Sequence, residues 1–189
     1  MSTTLQRIAY SPLWLLLHAV ALLPFGALYA LSDALAWVAA SVVRYRRRLV
    51  EVNIAAAFPD KTEAERRDIV KRFYRNFTDV FVETIKLLHI SDEEMRRRMV
   101  FEGVEHVERI AKDGRSIGLY CSHFGNWEWI TSITLWGYRA DNVEYSQVYR
   151  PLRNKWFDRF WFNLRKRFHS TSIPKNGVLR ALLQARHNG

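Results

Sequence analysis

The residues best suited to chemistry stand in one short stretch, Ser116 to Trp129, which reads SIGLYCSHFGNWEW. His123 and Glu128 are five positions apart, with Phe124, Gly125, Asn126 and Trp127 between them. A neutral histidine takes a proton near pH 7, and a carboxylate behind it fixes the ring's tautomer and orientation. On one continuous helix a separation of five puts two side chains on different faces. If His123 instead lies in a turn before a helix, the two can meet. Gly125 and Asn126 would then leave backbone N–H groups at the helix start, a good place for a developing oxyanion. The plainer alternative is a buried strand–turn–helix whose histidine only caps the helix.

The flanking residues have the pattern that this geometry needs. Ile117 to Cys121 is an apolar run of strand length, followed by the turn at Ser122-His123-Phe124-Gly125-Asn126. The next segment places Trp127, Ile130, Thr131, Thr134 and Leu135 three or four apart, which predicts a helix. Asn142–Tyr149 reads as a second strand, ending at Arg150-Pro151. In neighbouring parallel strands the carboxyl ends share one edge of the sheet, where ligands bind in open α/β folds. His123, Glu128 and Arg150 are thus predicted to share a pocket. A competing arrangement uses Cys121 as nucleophile with His123 as its base, because strand alternation puts the two on one side. A cysteine there is also suited to be a small core residue.

The other elements follow in order. From Ile8 to Ser32 the chain has no Lys, Arg, Asp or Glu, so it is long enough to cross a bilayer core of about 30 Å. Pro24 and Gly26 should kink it. A second apolar run, ALAWVAASVV, ends at Arg44-Tyr45-Arg46-Arg47-Arg48, a positive cluster that keeps its side of the membrane cytoplasmic. Either one kinked span or a shallow helical pair satisfies this pattern. Thr62 with Glu65 and Ser91 with Glu94 are capping boxes that start helices. The first helix carries Ile69, Val70, Phe73, Phe77, Val80, Phe81, Ile85 and Leu88 on an expected inner face, opposite Arg66, Arg67, Lys71, Arg72 and Arg75. Such a basic face is either solvated or laid on an anionic membrane. Val100–Glu102 reads as a short strand and Val104–Lys112 as a helix stopped by Gly114. Trp156, Phe157, Phe160, Trp161 and Leu164 stripe another helix. His169–Ile173 reads as a strand, and Asn176–His187 as a helix with Val178, Leu179, Leu182 and Leu183 inward.

Alternating strands and helices predict an α/β fold, with N-terminal membrane-anchoring helices before a mostly parallel sheet flanked by helices. Residues 1–48 form the expected anchor and 49–189 the expected catalytic domain. The formal charge of +10 favours anionic partners. No nucleic-acid recognition module is legible among the arginines. One cysteine excludes an internal disulfide, and the scattered histidines have no metal-ligand spacing.

Several stretches resemble one known family. HFGNWE fits the H-x4-[DE] signature of glycerolipid-type acyltransferases, and in this fuller form resembles the lipid A biosynthesis (lauroyl/myristoyl-type) acyltransferases. NIAAAFPDKTEAER resembles that family's N-x-x-x-x-F-P segment, and VYRPLRNKWFD its Y-R-P-x-x-N segment. The resemblance implies transfer of a fatty acyl group from a thioester to a hydroxyl of a lipid A precursor at the cytoplasmic face of a bacterial inner membrane. It implies His123 as general base with Glu128 as its partner, and Arg150, Asn126, Gly125 and Asn154 as substrate-binding. No cofactor is implied: the co-substrate is acyl-acyl carrier protein or acyl-coenzyme A, and acidic carrier protein and an anionic lipid are the expected partners. Members of the family are longer, which makes this chain an expected N-terminal part with an incomplete sheet. Two other functions fit the same residues: acylation of a glycerol-type phospholipid, and a non-catalytic, membrane-bound scaffold.

Overall fold

The computed structural model describes residues 3–137 and 143–188, with side chains over 12–137 and 143–184. The chain forms two compact units, Leu16–Lys86 and the described residues of Met1–Leu15 with Leu87–Gly189. The expected division at 48/49 falls inside the first of these.

In order, the N-terminal elements are α1 (Thr3–Leu22), α2 (Phe25–Trp37), a π-helical turn (Val38–Val42), α3 (Arg47–Ala57) and α4 (Glu63–Lys86). The apolar run is interrupted at Leu23 and Pro24, as the proline requires, so it is two helices. Phe25–Val42 is long and apolar enough to cross a membrane, with a mean hydropathy of 1.4 and 17% of it buried. Helices α2 and α4 pack antiparallel, because Tyr29 donates to Glu83 (2.8 Å), Ser32 to Thr78 (2.9 Å), and Asp33 pairs with Arg75 (2.7 Å). Lys86 closes the seam by donating to the carbonyls of Ala21 and Leu23 at 2.8 and 2.7 Å. Those carbonyls flank the end of α1, where the helix leaves its last acceptors without intrahelical donors.

Ile69 and Val70 pack against the core of Ala36, Val50, Ile54 and Tyr74 as expected, but beyond them the buried face of α4 is rotated from the expected one. Tyr74, Thr78, Val82 and Lys86 are buried, one residue on from Phe73, Phe77, Phe81 and Ile85. One residue is about 100° of helix rotation. The reason is the partner: the buried face of α2 is Leu28, Ser32 and Ala36, and the Ser32 hydroxyl hydrogen-bonds to Thr78, which sets that residue in the seam in place of a phenyl ring. Phe73 instead stacks on Phe77 outside the seam, at 6.0 Å between ring centroids, Phe81 meets Phe77 edge to face at 5.0 Å, and Tyr45 stacks on Phe77 at 5.6 Å.

The second unit contains α5 (Asp92–Arg98), α6 (Val104–Lys112), a 3-10 helix (Trp127–Leu135), β1 (Ser146–Tyr149), α7 (Lys155–Arg165), a short 3-10 turn (Lys166–Phe168), β2 (Thr171–Pro174) and α8 (Val178–Asn188). Among the described residues the sheet has two strands, β1 and β2, paired in parallel with Ser146 opposite Thr171 and Tyr149 opposite Pro174. Helix α7 makes the crossover between them. The expected strand 142–149 is thus shorter, and Asn142 lies outside the described residues.

Three expectations fail here. Ile117–Cys121 is not a strand: it runs without a ladder partner among the described residues, and Leu119 and Tyr120 are 59% and 99% exposed. A strand holds only when its N–H and C=O groups find a neighbour. Val100–Glu102 is likewise irregular. In α8, Leu179, Leu182 and Leu183 are exposed; the helix packs on β2, and Leu179 is 70% exposed.

Helix α4 begins as the capping box requires. The Glu65 N–H donates to Thr62 Oγ1 (3.3 Å), and the Thr62 N–H donates to the Glu65 carboxylate (2.8 Å). The hydrogen bond from Lys61, followed by those from Thr62, lowers the Glu65 pKa from 4.5 to about 2. A depressed carboxylate contributes stability that is complete above the unfolded pKa and lost as pH falls through the folded one. Glu65→Gln should therefore melt below the parent at pH 6. The gap should shrink below about pH 4.5 and close near pH 2, as followed by circular dichroism.

Candidate active site

The segment after the motif turn is helical but wound more tightly than an α-helix. Nine residues of 3-10 helix are unusual. Its hydroxyls supply the reason. Thr131 Oγ1 donates to the Glu128 carbonyl (3.2 Å), Ser132 Oγ to that of Trp129 (2.7 Å) and Thr134 Oγ1 to that of Thr131 (3.3 Å). Each bond reaches back three residues, and such side chains compete with the α-helical ladder. The same helix buries Trp129, Thr131, Ser132, Thr134 and Leu135, and Thr134 also donates to the carbonyl of Phe168.

Each candidate residue has a definite place. His123 is exposed, with its ring against the Trp127 indole at 4.9 Å between centroids. Gly125 has φ +56°, a left-handed conformation that glycine adopts without strain, and it allows the chain to turn into the helix. Asn126 precedes the first helical residue, and its carbonyl accepts the Trp129 N–H at 3.2 Å. Arg150 is exposed, directly after β1. Asn154 caps α7: its Oδ1 accepts the N–H groups of Trp156 and Phe157 at 3.0 and 3.3 Å. The loop between Arg150 and that cap is held by Asp158, whose carboxylate accepts the Leu152 N–H at 2.7 Å. Cys121 is exposed, not a core residue.

Glu128 is half-buried and its partner is Arg165. The guanidinium donates two parallel hydrogen bonds, Nη2 to Oε1 at 2.7 Å and Nε to Oε2 at 3.0 Å. The side chains are 14% and 20% exposed, so water screens this pair little. Arg165 also lies near the rings of Tyr149 and Trp161, 6.0 and 5.9 Å from their centroids. Tyr149 ends β1 and precedes Arg150. Glu128 and the end of β1 therefore share a neighbour, although the expected route, through a strand at 117–121, is not the one taken. No hydrogen bond joins Glu128 to His123 among the described residues.

Sequence reasoning does not select Arg165. Its signal is the spacing from Trp161, four residues earlier, which sets an arginine on the aromatic side of a helix. A guanidinium there needs an acid, and the half-buried Glu128 supplies it. Nearby, Arg167 donates to the Ile90 carbonyl (2.9 Å) and pairs with Asp92 (3.0 Å), and Ser170 Oγ donates to the Arg165 carbonyl (2.7 Å). Among the described residues, no three of His, Cys, Asp and Glu converge on a point that could hold a metal ion.

Comparison with known proteins accords with this motif. Residues 3–189 match the family model described as bacterial lipid A biosynthesis acyltransferase. A lipid A biosynthesis lauroyltransferase of Escherichia coli is 28% identical over 193 residues, covering 100% of this chain and 60% of the relative. A lipid A biosynthesis acyltransferase of Haemophilus influenzae is 24% identical over 178 residues, 92% of this chain and 54% of the relative. A lipid A biosynthesis myristoyltransferase of Escherichia coli is 21% identical over 143 residues, 76% and 43% respectively. The chain spans about half the length of the curated relatives it matches. With the family model matched from residue 3 to residue 189, the chain belongs to the bacterial lipid A biosynthesis acyltransferases.

Proposed function

We propose that this chain carries the base-bearing part of an O-acyltransferase that moves a fatty acyl group from a thioester to a hydroxyl of a lipid A precursor. The observation that supports it most is HFGNWE standing whole at 123–128 in a chain of this family. In the reaction, His123 takes the proton of the acceptor hydroxyl as its oxygen attacks the thioester carbonyl. The tetrahedral oxyanion collapses, the C–S bond breaks, and the imidazolium returns the proton to the leaving thiolate. In the same reading, backbone N–H groups of the turn at Gly125, with Arg150, meet the oxyanion and the anionic substrate. The donor is acyl carrier protein or coenzyme A, and excess arginine suits both, as it suits the phosphates of the acceptor.

Glu128 has two tasks in this reading. Each carboxylate oxygen has a second lone pair. The pair with Arg165 fixes the group, while the remaining lone pairs would be left to accept from the imidazolium that forms when His123 is protonated. Arg165 is then a positioning residue: it acts on the reaction through Glu128.

The membrane seat is shallow in the same proposal. The outward phenylalanines of α4 and the exposed Leu35, Val38, Val42 and Val43 suit hydrocarbon. The same α4 carries Arg67, Lys71 and Arg72 in water, and Asp33 and Arg75 pair at the surface of the seam. A helix with charges along one side costs too much at the bilayer centre. It fits the interface, on the cytoplasmic side that the basic cluster favours.

The test is transfer of a labelled acyl group from its thioester to a lipid A precursor, by membranes containing the chain in its full protein, with lipid mass as the readout. His123→Ala should lower the rate at least about a hundredfold, while Cys121→Ser stays near the parent. Retention of transfer by His123→Ala, or its loss in Cys121→Ser, would overturn the base assignment. Acylation of a glycerophospholipid instead of the precursor would move the acceptor to the glycerol class. No transfer by the parent would favour the scaffold.

A second experiment tests Arg165. Arg165→Lys keeps the charge but loses the fork, and should lower kcat roughly tenfold with KM little changed. Glu128→Gln should lower it further, and the double variant should be no slower than Glu128→Gln alone. Additive losses would show that Arg165 acts separately from Glu128.

A further inference from the structure

The carbon stems of four arginines, Arg44, Arg46, Arg47 and Arg48, line one shallow, open and mostly apolar cleft of about 590 Å³, together with Leu49 and Val52. All four are exposed. Among the described residues only Arg47 has an acidic partner, Glu51 at 2.8 Å. The cluster stands at the start of α3, which has no side-chain cap and no acid in its first turn. Positive charge at the positive end of a helix dipole is the reverse of the favourable arrangement. The guanidinium groups also repel one another. One anion among the exposed guanidinium groups at the rim of the cleft would relieve both.

The surroundings say which anion. The apolar segment Phe25–Val42 ends two residues before Arg44, and beside it is an apolar groove of about 340 Å³ lined by Leu35, Val38, Val43, Tyr45 and Phe81, among others. Val42 and Val43 are 62% and 64% exposed. A soluble phosphate would use the arginines and leave the groove empty. A phosphate that carries acyl chains would use both.

We propose that this cleft is a binding site for an anionic glycerophospholipid of the host bilayer, with its phosphate against Arg44, Arg46 and Arg48 and an acyl chain along Leu35, Val38 and Val43. The site lies in the unit that does not contain His123. Its ligand is a resident of the membrane and not an acyl acceptor. The inference rests on the membrane seat proposed above but not on acyl transfer.

The test uses the full chain purified in neutral detergent and exposed to equal amounts of phosphatidylglycerol and phosphatidylcholine with identical acyl chains. Retained lipid is counted by native mass spectrometry. The parent should hold phosphatidylglycerol about tenfold or more in preference. Arg44 and Arg46 have φ +52° and +49°, so asparagine, which tolerates this region, is the replacement there. Arg44→Asn/Arg46→Asn/Arg48→Gln should fold by circular dichroism and retain the two lipids nearly equally. Arg67→Gln/Lys71→Gln/Arg72→Gln removes the same charge from α4 and should leave the preference intact.

Equal loss in both triple variants would mean that net charge alone decides, and would overturn the site. So would equal retention of the two lipids by the parent. Displacement of phosphatidylglycerol by millimolar inorganic phosphate would reassign the cleft to a free anion, and displacement by polyuridylate to a nucleic acid. Retention of neither lipid would overturn the membrane seat as well, whatever the outcome of the transfer assay.

Discussion

The candidate site depends on where one carboxylate finds its charge partner. Glu128 lies on a helix whose other residues are largely buried, so its negative charge cannot be left to water. Arg165 meets it with two parallel hydrogen bonds from α7. This pair joins segments 37 residues apart. Through Tyr149 it also brings the 3-10 helix beside the end of β1. Replacing either partner alone would leave a charge in a low-dielectric place, which costs about 3 kcal/mol or more. The neighbouring contacts work in the same direction: Thr134 holds the Phe168 carbonyl, and Arg167 reaches Ile90 and Asp92. The 3-10 helix is therefore fixed in place by α7 and the turn after it, rather than by a strand before it.

The Leu16–Lys86 unit is organised on a different principle. Its helix seam is rich in polar contacts, Tyr29 to Glu83, Ser32 to Thr78 and Lys86 to two carbonyls, whereas phenyl rings stand outside. In water this would waste apolar surface. In the proposed membrane seat there would be no hydrophobic force between helices, and small and hydrogen-bonding residues would join them instead. Lys86 is the sharpest case. Its ammonium is buried, yet each of two carbonyls at the end of α1 accepts from it, and the Phe25 ring lies 5.4 Å away. The break at Pro24 that removes helix hydrogen bonds is thus closed by a residue 62 positions later in sequence.

What the sequence made legible was local. Thr62 with Glu65 and Ser91 with the Glu94 N–H can be read because the partners are three residues apart and the chemistry is self-contained. Even there, one half failed: the Glu94 carboxylate turns to Arg97 and Arg98 instead of back to Ser91. Helices α6 and α7 and the β1–α7–β2 crossover follow from periodicity and length. The buried face of α4 did not, because it is set by the α2 seam with its Ser32–Thr78 hydrogen bond, a partner that the α4 segment itself does not show. The run at 117–121 has strand composition, but composition cannot supply the neighbour that a strand requires. Arg165 could not be chosen from its own segment, since its role is set by a carboxylate 37 positions earlier. The motif residues His123 and Glu128 were visible because their spacing is short, whereas the geometry between them depends on long-range partners.

Exposure sets the remaining physical problem of the site. His123 stands in the open, and the aromatic residues around it are among the most exposed in the chain, Tyr120 at 99% and Phe124 at 88%. A general base in water activates water as readily as an alcohol, and attack by water on a thioester is hydrolysis. Selective transfer to a lipid hydroxyl needs the base covered while it works. Apolar side chains beside the imidazole are suited to be covered by acyl chains, so the substrates themselves would exclude the water. In the proposed reaction, binding and dryness would be the same event. That would also give a reason for an acid held by a second charge: Glu128, fixed by Arg165 before any substrate arrives, would not need to reorganise if an imidazolium formed in the dried site.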